Sequence, residues 1–315
     1  MNEEFYCADC HCDSILDVCD YGKSIITPYN VSQEHKALQL FAMWVEAYEI
    51  DPNEYWNMLM ARIDAYDNEI DRHPDWMKCY SYEDMKKARA EGKNIAILSI
   101  EGSACINSVE RLHIAYEKGI RVMTLTWNMS NCLAAGSDST GTENDYGLTD
   151  LGREIVTEAG KLGIMIDLSH ASDNTARDIL ALNDRPVMAS HSNYRSVCPH
   201  NRNLPDDIAD EIVRRGGHIG LNLFRWFIED HMEAEDYTAE KLFKHVDYAL
   251  SRGYGKNIGW GGDIDGIDAY PKDFSMEKSM HDQYLELMKK HGYDNELIKD
   301  IFYRNFFNLM ERFGL

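Results

Sequence analysis

Three observations predict a closed (β/α)8 barrel, in which parallel strands alternate with helices around a ring. Short apolar runs recur along the whole chain, each followed by polar chemistry and then by an amphipathic segment, which is the alternation of a parallel α/β fold. The amphipathic segments close on glycine, as helices commonly do. No glycine-rich phosphate loop follows the first run, so a doubly wound open sheet is the weaker arrangement.

The runs are Phe5–Ala8, Leu38–Val45, Asn94–Ile100, Arg121–Trp127, Ile164–Leu168, Pro186–Ser190, His218–Leu223 and Ile258–Gly261. Most are apolar or β-branched and bounded by Gly, Asn or Pro, as strands buried on both faces are. Leu38–Val45 also fits a helix, because LQLFAMWVEAY has no clear period of two. Helical patterns cover Pro52–Ile70, Tyr82–Glu91, Ser108–Lys118, Asp150–Leu162, Ser172–Leu182, Asp206–Arg215 and Thr238–Arg252. Gly92, Gly119, Gly163, Gly216 and Gly253 stand at or near their ends, and Ser172 and Asp206 are expected N-caps. With no repeat, low-complexity tract or Pro/Gly/Ser-rich linker, residues 1–315 read as a single barrel domain.

A chain of 315 residues with 44% hydrophobic and 27% charged residues can bury a sizeable core. Its net charge of −22 argues against a nucleic-acid partner, whose phosphates it would repel. The N-terminus MNEEFYCADC has neither a basic nor an apolar leader segment, and no apolar run is long enough to span a bilayer. The expectation is therefore a cytoplasmic protein with no membrane partner. Its eight cysteines are then expected to be thiols rather than disulfides.

A barrel gathers its chemistry at the carboxyl ends of its strands, and ligand-type residues fall there. The first run leads into His11-Cys12-Asp13, where residues two apart on an extended chain reach one side together. IAILSIEG places Glu101 at a strand mouth, where its two oxygens can serve two cations. IMIDLSH supplies His170, VMASHS supplies His191, and NIGWGGDIDG supplies Asp263 and Asp265. Any one of these has an ordinary reading as a loop hydrogen bond or a cap. Their joint placement at successive strand ends points to a metal-dependent hydrolase. Cys7, Cys10 and Cys12, with Cys19, offer a rival thiolate site for zinc or iron–sulfur. Strand alternation turns Cys10 and Cys12 away from His11 and Asp13, and small buried thiols are common in cores.

With these residues assembled, the chain resembles the membrane (renal or microsomal) dipeptidase family of the amidohydrolase superfamily over nearly its whole length. The resemblance rests on DCHCD at 9–13, SIEG at 99–102, RVMTLTW at 121–127 and GIMIDLSHAS at 163–172. PVMASHSNYRSVCPHNRNLPDD at 186–207 and IGWGGDIDG at 258–266 complete it. It implies a dipeptide substrate, including some dipeptides with a C-terminal D-residue, cleaved by a hydroxide shared between two zinc ions. His11 and Asp13 would hold one metal, His170 and His191 the other, and Glu101 would bridge them. Manganese or cobalt would also suit such donors. Arg202 would bind the substrate carboxylate, and Asp263 would be the catalytic acid–base, with Asp265 as the alternative.

Animal members carry a histidine after TLT that helps bind the substrate, whereas this chain has Trp127 there. Bacterial relatives often read TLTWN, and Asn128 or the second metal is the expected substitute in substrate binding. FYRNFF at 302–307 stands where the family tends to read GGNF, and the expectation is a relative without the family's secretory and lipid-anchor sequences. Other readings are a hydrolase of another small amide, such as an N-acyl amino acid or a lactam, and a non-catalytic metal-binding barrel. The segment 222–240 is the expected selectivity loop. Aromatic residues of 51–82 either form a homodimer interface or pack on the barrel's outer face.

Overall fold

The computed structural model describes residues 4–314 apart from 23, 25, 28, 30 and 46–50. Strands form where the chain is apolar on both faces. β1 (Tyr6–Cys12) and β4 (Asn94–Glu101) are buried at every residue, and β2 (Lys36–Trp44) is buried at all but its two ends. The shorter strands are β3 (Trp76–Lys78), β5 (Ile120–Thr124), β6 (Met165–Asp167), β7 (Met188–Ala189), β8 (His218–Leu221) and β9 (Ile258–Trp260).

All pairings between these strands are parallel, in the order β2-β1-β9-β8-β7-β6-β5-β4, and β2 pairs with β4 to close the ring of eight. β3 lies outside that ring. It pairs with β4 at residues 94–96, on the flank that β5 takes over from Leu98 onward. A closed ring leaves no sheet edge, and the (β/α)8 barrel expected from the sequence is the fold observed.

Leu38–Val45 is strand rather than helix, pairing with β1 on one side and β4 on the other. Gly92, Gly119, Gly163, Gly216 and Gly253 all take positive φ, as residues just past a helix do. Ser172 caps its helix by accepting from the Thr175 amide, but Asp206 does not cap. Pro205 occupies the N-cap position, and the Asp206 carboxylate is engaged elsewhere, by Ser196 Oγ at 2.9 Å and Tyr248 Oη at 2.7 Å. The FYRNFF segment is helical: a π-turn over Asp300–Arg304 runs into the helix Asn305–Phe313. In the 51–82 segment, Tyr55, Tyr66 and Trp76 are buried and Tyr80 stays exposed, with Tyr66 and Trp76 both packed near Phe41 of β2. None of the eight cysteines forms a disulfide. Among the described residues no helix is long and apolar enough to cross a membrane.

His218 is a buried imidazole whose two ring nitrogens have no hydrogen-bond partner among the described residues. Its ring meets Phe306 of the C-terminal helix edge-on. Burial, reinforced by Arg312, pushes its pKa down to about 3. The unfolded chain takes up this proton near pH 6.5 while the folded chain refuses it, so stability is lost as pH falls below 6.5. This one residue is expected to make the protein about 2 kcal/mol less stable at pH 5 than at pH 7. Urea unfolding of wild type and His218→Leu at both pH values checks it: the variant should lose that share of the pH dependence.

Candidate metal centre and substrate cavity

Residues from five strand ends converge at one mouth of the ring. β1 delivers His11 and leads to Asp13; β4 ends in Glu101; the turn after β6 carries His170; His191 and Arg202 follow β7, and Asp263 follows β9. His11, Asp13, Glu101, His170, His191 and Arg202 are all buried, and Asp263 is half-buried. Glu101 is the hub. Its Oε1 lies 2.7 Å from His170 Nε2 and 3.4 Å from His191 Nε2, while its Oε2 lies 3.5 Å from His11 Nε2. His11 Nε2 is also 3.5 Å from Asp13 Oδ2 and 3.9 Å from Asp263 Oδ1. Every residue expected as a ligand therefore reaches one small volume.

Several local devices hold this arrangement. His170, Asp263 and Asp265 take left-handed backbone conformations, with φ of 67°, 56° and 66°, which His and Asp adopt more readily than most residues. The His170 carbonyl is fixed by the Ser137 amide at 2.9 Å and by Thr126 Oγ1 at 3.1 Å. The Asp263 amide donates to the His11 carbonyl at 3.1 Å, tying the last strand end to the first. Asn222 Nδ2 donates to Asp263 Oδ2 at 3.0 Å. Gly266 makes room for the acids: a Cβ there would land on Asp13 Oδ2 and stand 2.5 Å from Asp263 Oδ1. Asp265 is exposed and accepts from Ser14 Oγ at 2.6 Å.

The donor set fits divalent metal. His170 Nδ1–H donates to Asn128 Oδ1 at 2.8 Å, and His191 Nδ1 bonds Ser190 Oγ at 2.7 Å. With Nδ1 carrying the proton, each ring presents an Nε2 lone pair to the centre, the usual arrangement behind a metal-ligating histidine. Those two Nε2 atoms stand 2.9 Å apart. His11 Nε2 and Asp13 Oδ1 are buried and have no hydrogen-bond partner among the described residues. Two groupings of ligand atoms lie within 4.8 Å of one another, His11–Glu101–His191 and His11–Asp13–Asp263. Among the described residues no such grouping includes a cysteine, so the thiolate site is not formed.

The titration behaviour has the same cause. Burial pushes Asp13 up to about 7, with Glu101 adding to it. Burial also raises Asp263, with His11 opposing and Glu101 assisting. For Glu101, His11 and His170 outweigh the effect of burial and hold it well below the usual carboxylate range. Burial works against charge on His11, but Glu101 and Asp13 hold its imidazole well above the ordinary value. His170 is pushed down to about 4 by burial and by Arg202, and His191 is lowered by burial and by His11. Asp13, Glu101 and Asp263 crowd three carboxyl groups into one buried volume beside the imidazoles, and cations held there would offset their charge.

Above these groups opens a cavity of about 390 Å³, within the usual range for a small-ligand site. Asp13, Glu101, His170, Arg202 and Asp263 form its polar part, and Leu16, Trp44, Trp127, Phe224 and Phe227 its apolar part. Trp127 and Asn128 thus both line the cavity, although the Asn128 side-chain oxygen Oδ1 is engaged by His170. A larger hollow of about 500 Å³ lies at the amino ends of β1 to β4, away from the converging histidines. Of the other residues at the carboxyl mouth, Trp44 was not singled out by the sequence, and Asn222, Phe224 and Phe227 were covered only as members of the expected selectivity segment 222–240. Asn222 lies inside the run His218–Leu223, and only the observed end of β8 at Leu221 places it at a strand mouth.

A family model described as membrane dipeptidase, peptidase family M19, matches residues 2–313. The chain belongs to that family. It is 28% identical over 291 residues to an uncharacterized dipeptidase of Schizosaccharomyces pombe, covering 88% of this chain and 70% of the relative. Dipeptidase verJ of Clonostachys rogersoniana is 31% identical over 255 residues, covering 80% of this chain and 64% of that protein. Among solved structures, a metallopeptidase of Rhodobacter sphaeroides carrying a phosphinate mimic of L-Ala-D-Ala superposes with a TM-score of 0.87 at 23% identity. That match covers 98% of this chain and 99% of the other. Membership in a family of metallopeptidases makes this M19 chain a metal-dependent hydrolase of the dipeptidase class.

Proposed function

We propose that this M19 protein hydrolyses dipeptides, including those with a C-terminal D-residue, with two zinc ions at the carboxyl mouth of the barrel. The observation that carries the dipeptide reading is Arg202. The residue is 6% exposed, and among the described residues its Nε has no hydrogen-bond partner and no carboxylate forms an ion pair with it. Burial lowers its pKa to about 10, yet it stays charged at neutral pH. A buried, unpaired cation beside the metal-type cluster calls for an anion, and a planar fork suits a carboxylate. The C-terminal carboxylate of a dipeptide is such a group. The Rhodobacter sphaeroides neighbour, with its dipeptide mimic, supports the same class of ligand.

His11 and Asp13 would hold one metal, His170 and His191 the other, with one oxygen of Glu101 serving each. When bound, the pair supplies Lewis acidity for the scissile carbonyl and lowers the pKa of water. Asn128 and the Ser190 hydroxyl keep the two imidazoles in the ligating tautomer. Asp263, oriented by Asn222, takes the proton of the attacking water and returns it to the leaving amine. Arg202 aligns the substrate by its carboxylate, and Trp127 and Asn128 line the space the peptide fills. The apolar cavity walls limit solvent around the reacting groups.

Arg202→Met is expected to raise KM for L-Ala-D-Ala and L-Ala-L-Ala by about 10- to 100-fold, the loss of a charge-assisted bidentate contact. A dipeptide amide, which lacks the carboxylate, should be affected far less. Steady-state kinetics on the zinc-loaded protein read both, and equal effects would remove the carboxylate anchor. An N-acetyl amino acid run beside the dipeptides tests the substrate class. Dipeptide cleavage that chelation abolishes, with little cleavage of the N-acetyl amino acid, is the expected result. The reverse preference would overturn the dipeptide reading.

A further inference from the structure

Ring order places the cavity walls relative to Arg202. Going round the barrel as β1, β2, β4, β5, β6, β7, β8, β9, β7 lies across the ring from β2. Arg202, in the loop after β7, therefore faces the end of β2, where Trp44 stands, and Trp127 follows β5. These two tryptophans flank β4 and its Glu101, whereas Phe224 and Phe227 follow β8 on the side of Arg202.

Phe227 is committed to that side. The Arg202 guanidinium sits 5.3 Å from its ring centroid, and Phe224 packs edge-on against it at 4.7 Å. Trp44 and Trp127 form a separate unit, their rings 5.5 Å apart at 71°. The Arg62 guanidinium lies 5.8 Å from the Trp44 ring. Both tryptophans are half-buried, line the cavity and stand at or within three residues of a strand end. Such a wall is held by packing and does not have to be ordered when a ligand arrives.

We infer that the Trp44–Trp127 pair reads the side chain of the substrate's amino-terminal residue and selects dipeptides in which that residue is bulky and apolar. The inference rests on the dipeptidase reading above. With the C-terminal carboxylate on Arg202 and the scissile carbonyl over Glu101 and the histidines, the amino-terminal residue extends across the mouth toward β2 and β5. There it meets two indole rings. An alanine methyl leaves most of that apolar surface uncovered, whereas a leucine or phenylalanine side chain covers it. Filling an apolar pocket by a single methylene is worth about tenfold or more in discrimination.

The test is the ratio of kcat/KM for L-Phe-L-Ala to that for L-Ala-L-Ala, measured on zinc-loaded wild type, Trp44→Ala and Trp44→Phe. The ratio is unaffected by a loss of folded protein, because inactive molecules drop out of both terms. The expected wild-type ratio is about ten or more, falling toward one in Trp44→Ala and recovering in Trp44→Phe. Titration with phosphinate analogues of the same two dipeptides, followed by tryptophan emission, should give the same ranking in Kd for wild type. A wild-type ratio near one would overturn the inference while leaving the dipeptidase reading intact. So would an unchanged ratio in Trp44→Ala, or selectivity that follows the second residue in L-Ala-L-Phe. Failure to cleave any dipeptide, with two metals bound, would instead overturn the dipeptidase reading and this inference with it.

Discussion

Asp263→Asn is expected to lower kcat for dipeptides by about 10²- to 10⁴-fold, the usual contribution of a positioned acid–base group, while leaving two metals per chain. The substitution is unusually clean at this position. Asp263 takes a φ of 56°, and asparagine is among the residues that tolerate the left-handed region best, so the turn after β9 should persist. Asn222 Nδ2 donates to Asp263 Oδ2 at 3.0 Å, and an asparagine can turn its own carbonyl oxygen to accept the same bond. What disappears is the capacity to take a proton. Burial raises the pKa of Asp263 above the ordinary value, with His11 pulling the other way and Glu101 assisting; a raised pKa makes a carboxylate a better acceptor. Bound cations would pull it down again and keep the group ionised before the transfer. Metal analysis beside single-turnover kinetics separates two roles. Because His11, Asp13 and Asp263 offer ligand atoms within 4.8 Å of one another, loss of metal in the variant would reassign Asp263 as a ligand.

The placement of these groups was legible in the sequence for a definite reason. In a parallel barrel the strand ends converge, so a polar residue just past an apolar run is a statement about three-dimensional position. His11, Glu101, His170, His191 and Asp263 each obey it, whereas Asn222 sat inside the run His218–Leu223 and reaches the mouth only because β8 stops at Leu221. Trp44 was hidden differently. A strand buried on both faces loses the period of two that marks a half-exposed strand, so LQLFAMWV reads equally as helix until its pairing with β1 and β4 is known. β3 is three residues long, too short for any periodic signal. The error at Asp206 is local competition: an aspartate that starts a helix after proline can be drawn away by Ser196 and Tyr248, and both of those contacts depend on tertiary structure. Likewise the Asn128–His170 bond, which sets a ring tautomer, joins residues 42 apart in sequence and has no local signature.

Glu101→Gln should have the largest effect of any single change, because this carboxylate approaches all three histidines. The amide keeps the size of the side chain, so the ring should still close, but it halves the oxygen donors and removes the negative charge. Metal affinity is expected to fall by more than the 10- to 100-fold typical of losing an outer partner of a ligand. Activity should fall by at least about 10⁴-fold, as both the activated water and its neighbours are lost together. Metal analysis after equilibration at one free zinc concentration gives the first readout. The second is thermal melting with and without chelator. A ligand held at a hundred times its dissociation constant stabilises the folded state by about 2.7 kcal/mol, so the wild-type melting temperature should drop on chelation while that of the variant barely moves. A chelator-sensitive variant that still binds two metals would show that the histidines and Asp13 suffice to hold them. In that outcome Glu101 would not be what joins the two sites.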